Sequence, residues 1–469
     1  MSFKPLLPAE LWKEIFMACL PNDIDGYIAA SPYEAPLLLC QICRCWREIA
    51  ISTPELWESL EIMRNGSKCT PKADLVDLWI SRSANRPLSI MFGPAMDTTL
   101  YMKSDEIKPI LQILIRCLPR WADMYLCLAD FSEDNIDIDS VPEEGPSMLE
   151  AIILYMPIDA EDTGPIDIHI FGNLSPAVSL IFKKADVLEY FSLHCPRLTF
   201  RSAFWMDAFQ LPRNNLTALR LLNALNVDDC IRTLQESPNV EDALFTISAP
   251  GSGLMPHLTT NILHTLCLYM AAPEGGATIF TLLDGITTPS LCNLAISFEL
   301  SWSTVSFTSF LERSSCSIRN LHLEYPDMTT GEITDCLSAV SPALQRLRIS
   351  GSIDNHPNHP PKIITPELLQ LLTPQTEAAG VLCPHLVEIH LDAFSLTDED
   401  GPFANMVNAR LSGNNFPSFS RLEAVSLRVA LATHSRDVQR LTAMGEEDPS
   451  FSFELIPTEA DWLAVGTLW

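Results

Sequence analysis

Cys40-x-x-Cys43-x-Cys45 is the tightest grouping of reactive side chains in the 469-residue chain. Thiolates at i and i+3 share a helix face and could take two corners of a tetrahedral zinc site. Cys45 points elsewhere, however, and no second CxxC and no HxxxH pair completes the ligand set. Core or surface thiols are the expectation. His257 and His264 stand seven residues apart, and His390 falls inside a strand-like run, with no carboxylate and nucleophile arranged nearby to form a proton relay. The phosphate-cradling GxGxxG and GxxxxGK[ST] patterns and the hydrolytic HExxH and GxSxG patterns are absent. Glu161-Asp162 and Asp398-Glu399-Asp400 lack the alternating oxygens and closing glutamate of a calcium loop. Met148 and Met156 suit gaps in a core better than a cofactor box. These residues predict a binding protein that is not an enzyme and carries no cofactor and no metal.

Composition narrows the class of partner. The 59 acidic residues against 30 basic ones give a net charge of -29, a field that opposes any grip on a phosphate backbone, so no nucleic acid partner is expected. With 47% hydrophobic and 19% charged residues, the chain is expected to fold rather than remain disordered. Met1 to Glu10 lacks the pattern of a secretory signal, and no apolar run approaches the roughly 18 residues of a membrane span. The expectation is a cytoplasmic and/or nuclear protein without membrane contact, whose fourteen cysteines act as small buried hydrophobes.

The positions that could meet a partner depend on the N-terminal elements. Pro8 suits a helix start because its missing N–H is not needed in the first turn, and Leu11, Trp12, Ile15, Phe16, Cys19 and Leu20 recur on one face before Pro21. Leu38, Leu39, Ile42, Cys43, Trp46, Ile49 and Ala50 form a second helical stripe that stops near Thr53-Pro54, and Leu56-Trp57 folds back as a turn. About 55 residues bury too little surface to stand alone. The stripes need cover, either from the downstream chain or from a second protein laid across Leu11, Ile15 and Leu39.

Leu7-Pro8-x-Glu10-Leu11, Glu14-Ile15-Phe16, Cys43-Arg44-x-Trp46-Arg47-x-Ile49-Ala50 and Pro54-x-Leu56-Trp57, in this order and spacing, resemble the F-box. With Ala35-Pro36-Leu37-Leu38-Leu39 and Ser52-Thr53-Pro54-Glu55-Leu56-Trp57, the version looks like the large set of F-box proteins of mushroom-forming fungi. It departs from the family in an extra stretch, Asn22 to Tyr33. The resemblance covers residues 4 to 60. It implies docking onto the Skp-type adaptor of a cullin-RING ubiquitin ligase, with Leu7, Pro8, Leu11, Ile15, Leu39, Ile42 and Trp46 as candidate contact or supporting positions, some of them internal core, and Arg44 and Arg47 as candidates to bracket the contact.

Beyond residue 70 the chain alternates helix and strand. An apolar-x-x-apolar-x-apolar hexad recurs from Trp121-x-x-Met124-x-Leu126 to Leu422-x-x-Val425-x-Leu427. Starts at 188, 216, 240, 263, 291, 318 and 344 lie 28, 24, 23, 28, 27 and 26 residues apart, within the period of leucine-rich repeats. The last two intervals stretch to 42 and 36. The expected class is α/β: an F-box-like trihelical module (1–62), linking helices and a first strand unit (63–120), a curved leucine-rich-repeat-like solenoid (121–435) and a C-terminal cap (436–469). Gly351 to Pro361 and the acidic stretch Phe131 to Gly145 read as projecting loops, and Phe451 to Ile456 with Trp462 and Trp469 as the cap.

Alternation along the strands sets His322, Arg348, His390 and Ser426 in an outward row, flanked by Arg428. His322, Arg348, His390 and Arg428 are therefore the candidate contacts for an unidentified protein target. The function expected is substrate recognition for a Skp-cullin-F-box ligase, with a non-catalytic repeat scaffold as the alternative.

Overall fold

The computed structural model describes residues 7–21, 26–65, 67–94, 105–127, 135–155, 181–182, 184–194, 206, 209–253, 255–271, 279–297, 302–324, 328–350, 363–374, 381–392, 396, 399–412, 419–428 and 434–456. Glu161, Asp162, Met156, Asp398, the loop from Gly351 to Pro361, residues 131–134 of the acidic stretch, Trp462 and Trp469 lie outside them. Two compact units are formed, one of Met1–Ala224 with Glu236–Val240 and one of Leu225–Gln235 with Glu241–Trp469. Among the described residues no helix is long and apolar enough to cross a membrane.

The first unit opens with α1 (Ala9–Met17), α2 (Leu39–Ile42), α3 (Arg44–Ile51) and a 3-10 turn, Pro54–Trp57. The second stripe is two short helices rather than one. Cys43 leaves helical geometry at φ -158°, ψ 167°, and its Sγ accepts the Trp46 N–H at 3.4 Å, capping α3. The three helices close on Phe16, which is fully buried with its ring 5.9 Å from Trp12 and 5.1 Å from Trp46. Their opposite side is covered by the chain itself. Ile49, Ala50, Leu56 and Trp57 are buried. The Trp57 indole N–H donates to the Ala50 carbonyl at 2.9 Å, and its ring meets Trp79 of α4 (Ala73–Arg82) edge-on at 4.8 Å, beneath the Arg82 guanidinium at 4.4 Å.

Directly after Trp57 comes a sheet of β1 (Ser59–Asn65), β2 (Lys68–Thr70), β3 (Leu88–Pro94), β4 (Trp121–Cys127), β5 (Ala151–Tyr155), β6 (Tyr190–His194) and β7 (Ala218–Asn226), with α5 (Ile107–Arg116) between β3 and β4. Its order is β2-β1-β3-β4-β5-β6-β7. Only β2 pairs antiparallel. The repeat ladder thus starts at β1, well before residue 121. Trp57-x-x-Leu60-x-Ile62 is the hexad itself, with all three apolar side chains buried. Of the stretch from Asn22 to Tyr33, the described residues 26–33 reach the sheet. The Glu61 N–H donates to the Ile28 carbonyl at 2.8 Å, Ser59 Oγ to the Gly26 carbonyl at 2.8 Å, and the Tyr27 hydroxyl reaches Asp123 Oδ1 on β4 at 3.2 Å.

In the second unit α6 (Val227–Glu236), α7 (Ile279–Gly285), α8 (Thr304–Ser314), α9 (Thr330–Val340), α10 (Pro366–Leu372), α11 (Pro402–Leu411) and α12 (Ser435–Glu447) alternate with strands. Ser303 caps α8, Thr365 caps α10 ahead of Pro366, and Thr329 with Glu332 forms a reciprocal capping box on α9. The strands are β8 (Asp242–Ala249), β10 (Thr265–Met270), β12 (Asn293–Ser297), β13 (Asn320–Glu324), β14 (Arg346–Ser350), β15 (Glu388–Asp392), β16 (Ala424–Arg428) and β17 (Ser452–Leu455). They pair in parallel in that order. β9 (Leu258–Thr259) and β11 (Ile286–Thr287) form a separate small pair. Every apolar member of the hexads from Trp121 to Leu427 is 3% exposed or less. Each such side chain contributes roughly 1.5–3 kcal/mol of gross hydrophobic stabilisation.

The stretched interval before Leu386 is closed by Arg410 of α11. This fully buried side chain donates to the carbonyls of Leu372 (2.8 Å), Leu382 (2.9 Å) and Cys383 (3.2 Å) and lies 5.0 Å from the Phe419 ring. Burial lowers its pKa to about 10, which leaves it charged at neutral pH.

Two predictions follow from these ties. Arg410→Met strands three carbonyls and should cost about 3 kcal/mol or more, read as a fall in the thermal midpoint; an unchanged midpoint refutes the role. Burial raises the Asp123 carboxyl above its usual range, although the Tyr27 hydrogen bond pulls it down. A raised acid favours the fold below its unfolded pKa of about 3.9, and that contribution fades as pH rises through the folded value. Asp123→Asn keeps the acceptor for Tyr27 without the charge, so its stability relative to wild type should improve from pH 4 to pH 7 in urea unfolding.

Candidate functional site

The N-terminal helices leave an apolar surface uncovered. Leu7, Leu11, Ile15, Met17, Tyr33, Leu38, Ile42 and Ile51 are eight of the fourteen exposed large apolar side chains among the described residues. Leu11 is 49% and Ile42 54% exposed. Pro8 is exposed at the start of α1, while Trp46 is half-buried against Trp12 at 5.1 Å. Leu39 corrects the sequence expectation: it is buried and belongs to the interior, because so small a unit needs an apolar residue of its second helical segment inside. Arg44 pairs with Glu48 at 2.9 Å on the surface, and Arg47 Nε donates to the Cys40 carbonyl at 2.6 Å. Cys40 is buried, Cys43 caps α3, and Cys45 is half-buried.

On the second unit's sheet, the face opposite the apolar hexads carries the predicted row. His322, Arg348, His390 and Ser426 are in-register neighbours on β13 to β16, and Arg428 faces Asp392 on the next row. His322 and Ser426 do not reach solvent as expected, since neighbouring strands stand close enough for longer side chains to roof over short ones. Burial, then the charges of Arg348 and His390, press the His322 imidazole down to about 3, so it is neutral at physiological pH, with Nε2 3.1 Å from Ser350 Oγ. Burial also lowers the Arg348 pKa. His390 is bound to Glu388 at 2.7 Å, and Glu388 also takes Arg346 at 2.7 Å. The His390 hydrogen bond is the main reason this carboxyl lies below its usual range, against the upward pull of burial. The row satisfies much of its own charge and hydrogen-bonding capacity.

One group of side chains escaped the sequence reading. Asp400, His434 and Asp437 hold their potential ligand atoms within 4.8 Å of one another, the only such group among the described residues. The geometry could suit a cation, but the oxygens are already engaged. Asp437 accepts the N–H groups of Gly401 (3.0 Å) and Ala404 (2.7 Å), capping α11, and lies 3.3 Å from His434 Nδ1. Asp400 accepts from Arg436 and Asp437, both at 2.9 Å, capping α12. Burial pulls the Asp400 pKa up, but these N–H groups outweigh it and leave it lowered. The cluster is a reciprocal helix clasp. Only its local Asp398-Glu399-Asp400 run was visible in sequence; the partner helix was not. His257 lies against Thr287 at 2.7 Å, and His264 stands 4.0 Å from Glu241. The first pairs an imidazole with a hydroxyl and the second an imidazole with a carboxylate, and among the described residues neither shows the nucleophile, base and orienting group of a triad together.

The fold defines an α/β protein of repeated helix–strand units on a largely parallel sheet, an arrangement of the leucine-rich-repeat kind. No protein-family model matches the chain, and no curated protein matches it. Among solved structures it is similar to the leucine-rich repeat-containing protein LegL7 from Legionella pneumophila, at 12% identity and a TM-score of 0.39, over 75% of this chain and 98% of that one. So distant a likeness says nothing of partner or activity.

If the clasp is structural, zinc or manganese should leave the thermal midpoint unchanged, whereas Asp437→Asn should cost roughly 1–3 kcal/mol through mispaired buried donors. A metal-dependent rise in the midpoint that Asp437→Asn abolishes would instead establish a cation site.

Proposed function

We propose that the chain is the substrate-recognition subunit of a Skp-cullin-F-box ubiquitin ligase. Its N-terminal helices dock the Skp-type adaptor, and its repeat sheet presents a protein target. One observation carries this reading: the exposed apolar side chains concentrate on the helices that bear the F-box-like motifs, with Leu7, Leu11, Ile15 and Ile42 uncovered. Covering such a patch releases water from apolar surface, which is the driving force for a partner helix to lie across it. The helices are tied to the rest of the unit through Trp57, whose ring packs on Trp79 of α4, so the module is anchored without using the patch. The chain needs no catalytic group for this role. Its mechanism is effective concentration: docking to the adaptor holds a bound target beside the ligase's own ubiquitin-transfer machinery.

The reading supports one direct measurement on the full-length protein. Titrating a fungal Skp-type adaptor should give saturable binding to wild type, and the double variant Leu11→Ala, Ile15→Ala should lose more than about 1 kcal/mol of affinity while retaining its circular dichroism spectrum. Equal affinity in the folded double variant removes the patch from the interface. A wild-type chain that binds no adaptor would leave a repeat scaffold outside the ligase.

A further inference from the structure

Charge is distributed unevenly along the chain. Residues 1–120 hold 14 acidic and 13 basic residues, whereas residues 121–469 hold 45 acidic against 17 basic, a net of -28. The stretch from residue 121 onward is thus the acidic one, and its field attracts cationic partners.

The first unit's sheet offers such a partner a surface of different character from the self-paired row on the second. On the face opposite the buried hexads, the register sets Met91, Tyr125, Ile153 and Ser192 side by side on β3 to β6, between Glu61 on β1 and Arg220 on β7, with Met63 on β1 beside Gly93. Met63, Met91, Tyr125 and Ile153 are half-buried, and Tyr155 lies beneath its stacked neighbour. The rings of Tyr125 and Tyr155 are 4.8 Å apart at 25°. Gly93 leaves the space into which both lean, for a Cβ there would come within 3.1 Å of the Tyr155 hydroxyl and 3.2 Å of Tyr125 Cε1. The result is an aromatic platform.

Carboxylates border it. Asp123, two residues before Tyr125 on the same face, is half-buried and already accepts the Tyr27 hydroxyl, whereas Glu150 and Glu189 are exposed immediately before β5 and β6. Those two glutamates are ladder neighbours, joined through the Glu189 N–H and the Glu150 carbonyl at 2.9 Å. Like charges placed on adjacent strands destabilise a sheet unless something positive comes between them. Aromatic faces rimmed by carboxylates hold lysine and arginine by cation–π attraction and charge together.

We infer that the sheet face carrying Tyr125 and Tyr155, with Glu150 and Glu189 exposed where β5 and β6 begin, docks a lysine- and arginine-rich extended segment of a partner protein. The apolar strip of Met91 and Ile153 takes the aliphatic stems of those side chains and any apolar residues between them. A second copy of the chain is disfavoured as occupant, because its repeat region carries the same charge. The inference names the target class for the proposed receptor and in that respect rests on that reading; the binding itself does not involve the adaptor.

The test uses the full chain without adaptor, so its outcome is independent of adaptor docking. The probe is a fluorescein-labelled twelve-residue peptide of alternating lysine or arginine and valine, followed by anisotropy at about 0.15 M salt, with its glutamate counterpart as control. Wild type should bind the basic peptide and ignore the acidic one. The pair Glu150→Gln, Glu189→Gln should weaken binding about fivefold or more and flatten its salt dependence. Tyr125→Leu, which keeps apolar bulk without the ring face, should weaken it about threefold. Both variants should melt as wild type. The decisive control is Glu446→Gln, Glu447→Gln on α12, which removes equal charge elsewhere and should leave binding unchanged. Equal weakening by that control would show bulk attraction to an acidic protein and overturn the site. So would full binding by the platform variants, equal capture of the acidic peptide, or self-association that the platform variants abolish.

Discussion

A helix–strand unit of this chain buries its two inward strand residues only if the next strand sets its own pair at the same height. That register requirement governs the rest of the molecule. In the second unit, Leu294, Leu321, Leu347, Ile389 and Val425 occupy one continuous row and Ile296, Leu323, Ile349, Leu391 and Leu427 the next. A slip of one residue in β13, β14 or β15 would turn its apolar pair outward and bring His322, Arg348 or His390 inside. Spacing between hexads therefore varies freely while spacing within them does not. The interval from Leu344 to Leu386 stretches to 42 residues, yet β14 and β15 keep their register, and Arg410 supplies polar bonds to the Leu372, Leu382 and Cys383 carbonyls just ahead of Leu386.

The same register constrains the opposite face. Residues between the inward pairs are forced to stand beside their counterparts at strand spacing, so a charged row must neutralise itself or attract something that does. The second unit follows the first course: Glu388 sits between Arg346 and His390, and His322 stays neutral. The first unit fills the middle of its row on β3 to β6 with methionine, tyrosine, isoleucine and serine, and Glu61 on β1 and Arg220 on β7 stand at the two ends of that row. Two faces built on one backbone rule thus acquire different chemistry from the residue types alone.

The inward face was legible because its signal is redundant; ten or more hexads repeat one burial pattern, and no single leucine has to be interpreted. Trp57-x-x-Leu60-x-Ile62 and Pro87-x-x-Ile90-x-Phe92 were harder to see as the same hexad, since Trp57 already completes another motif and Pro87 replaces the first apolar residue. The outward face was less legible. Alternation predicts direction correctly for His322 but not depth, which depends on what the neighbouring strands carry. Leu39 posed the same difficulty on a helix, where a stripe of apolar residues does not reveal which members hold the unit together. The Asp400, His434 and Asp437 clasp joins two helix starts some 35 residues apart, and no local pattern announces a carboxylate that caps a helix other than its own.

The N-terminal helices show why an exposed apolar surface can persist on a protein otherwise protected by charge. Their stability comes from two places that do not involve the outer side chains: the Trp12, Phe16 and Trp46 cluster within, and the contact of Trp57 with Trp79 and Arg82 behind. Phe16 and Ile15 are consecutive on α1, yet one is fully buried and the other 40% exposed, because a 100° step around the helix separates the face that holds the fold from the face that does not. Side chains on the outer face are accordingly free of a folding role, and apolar residues there leave water-exposed area that only an external surface can remove. Near-neutral charge in the first 120 residues removes the long-range repulsion that would oppose an acidic partner surface, while the strongly acidic remainder favours partners of the opposite sign. The two stretches of sequence thus differ in chemistry, the first carrying uncovered apolar side chains at near-neutral charge and the second a strong negative charge.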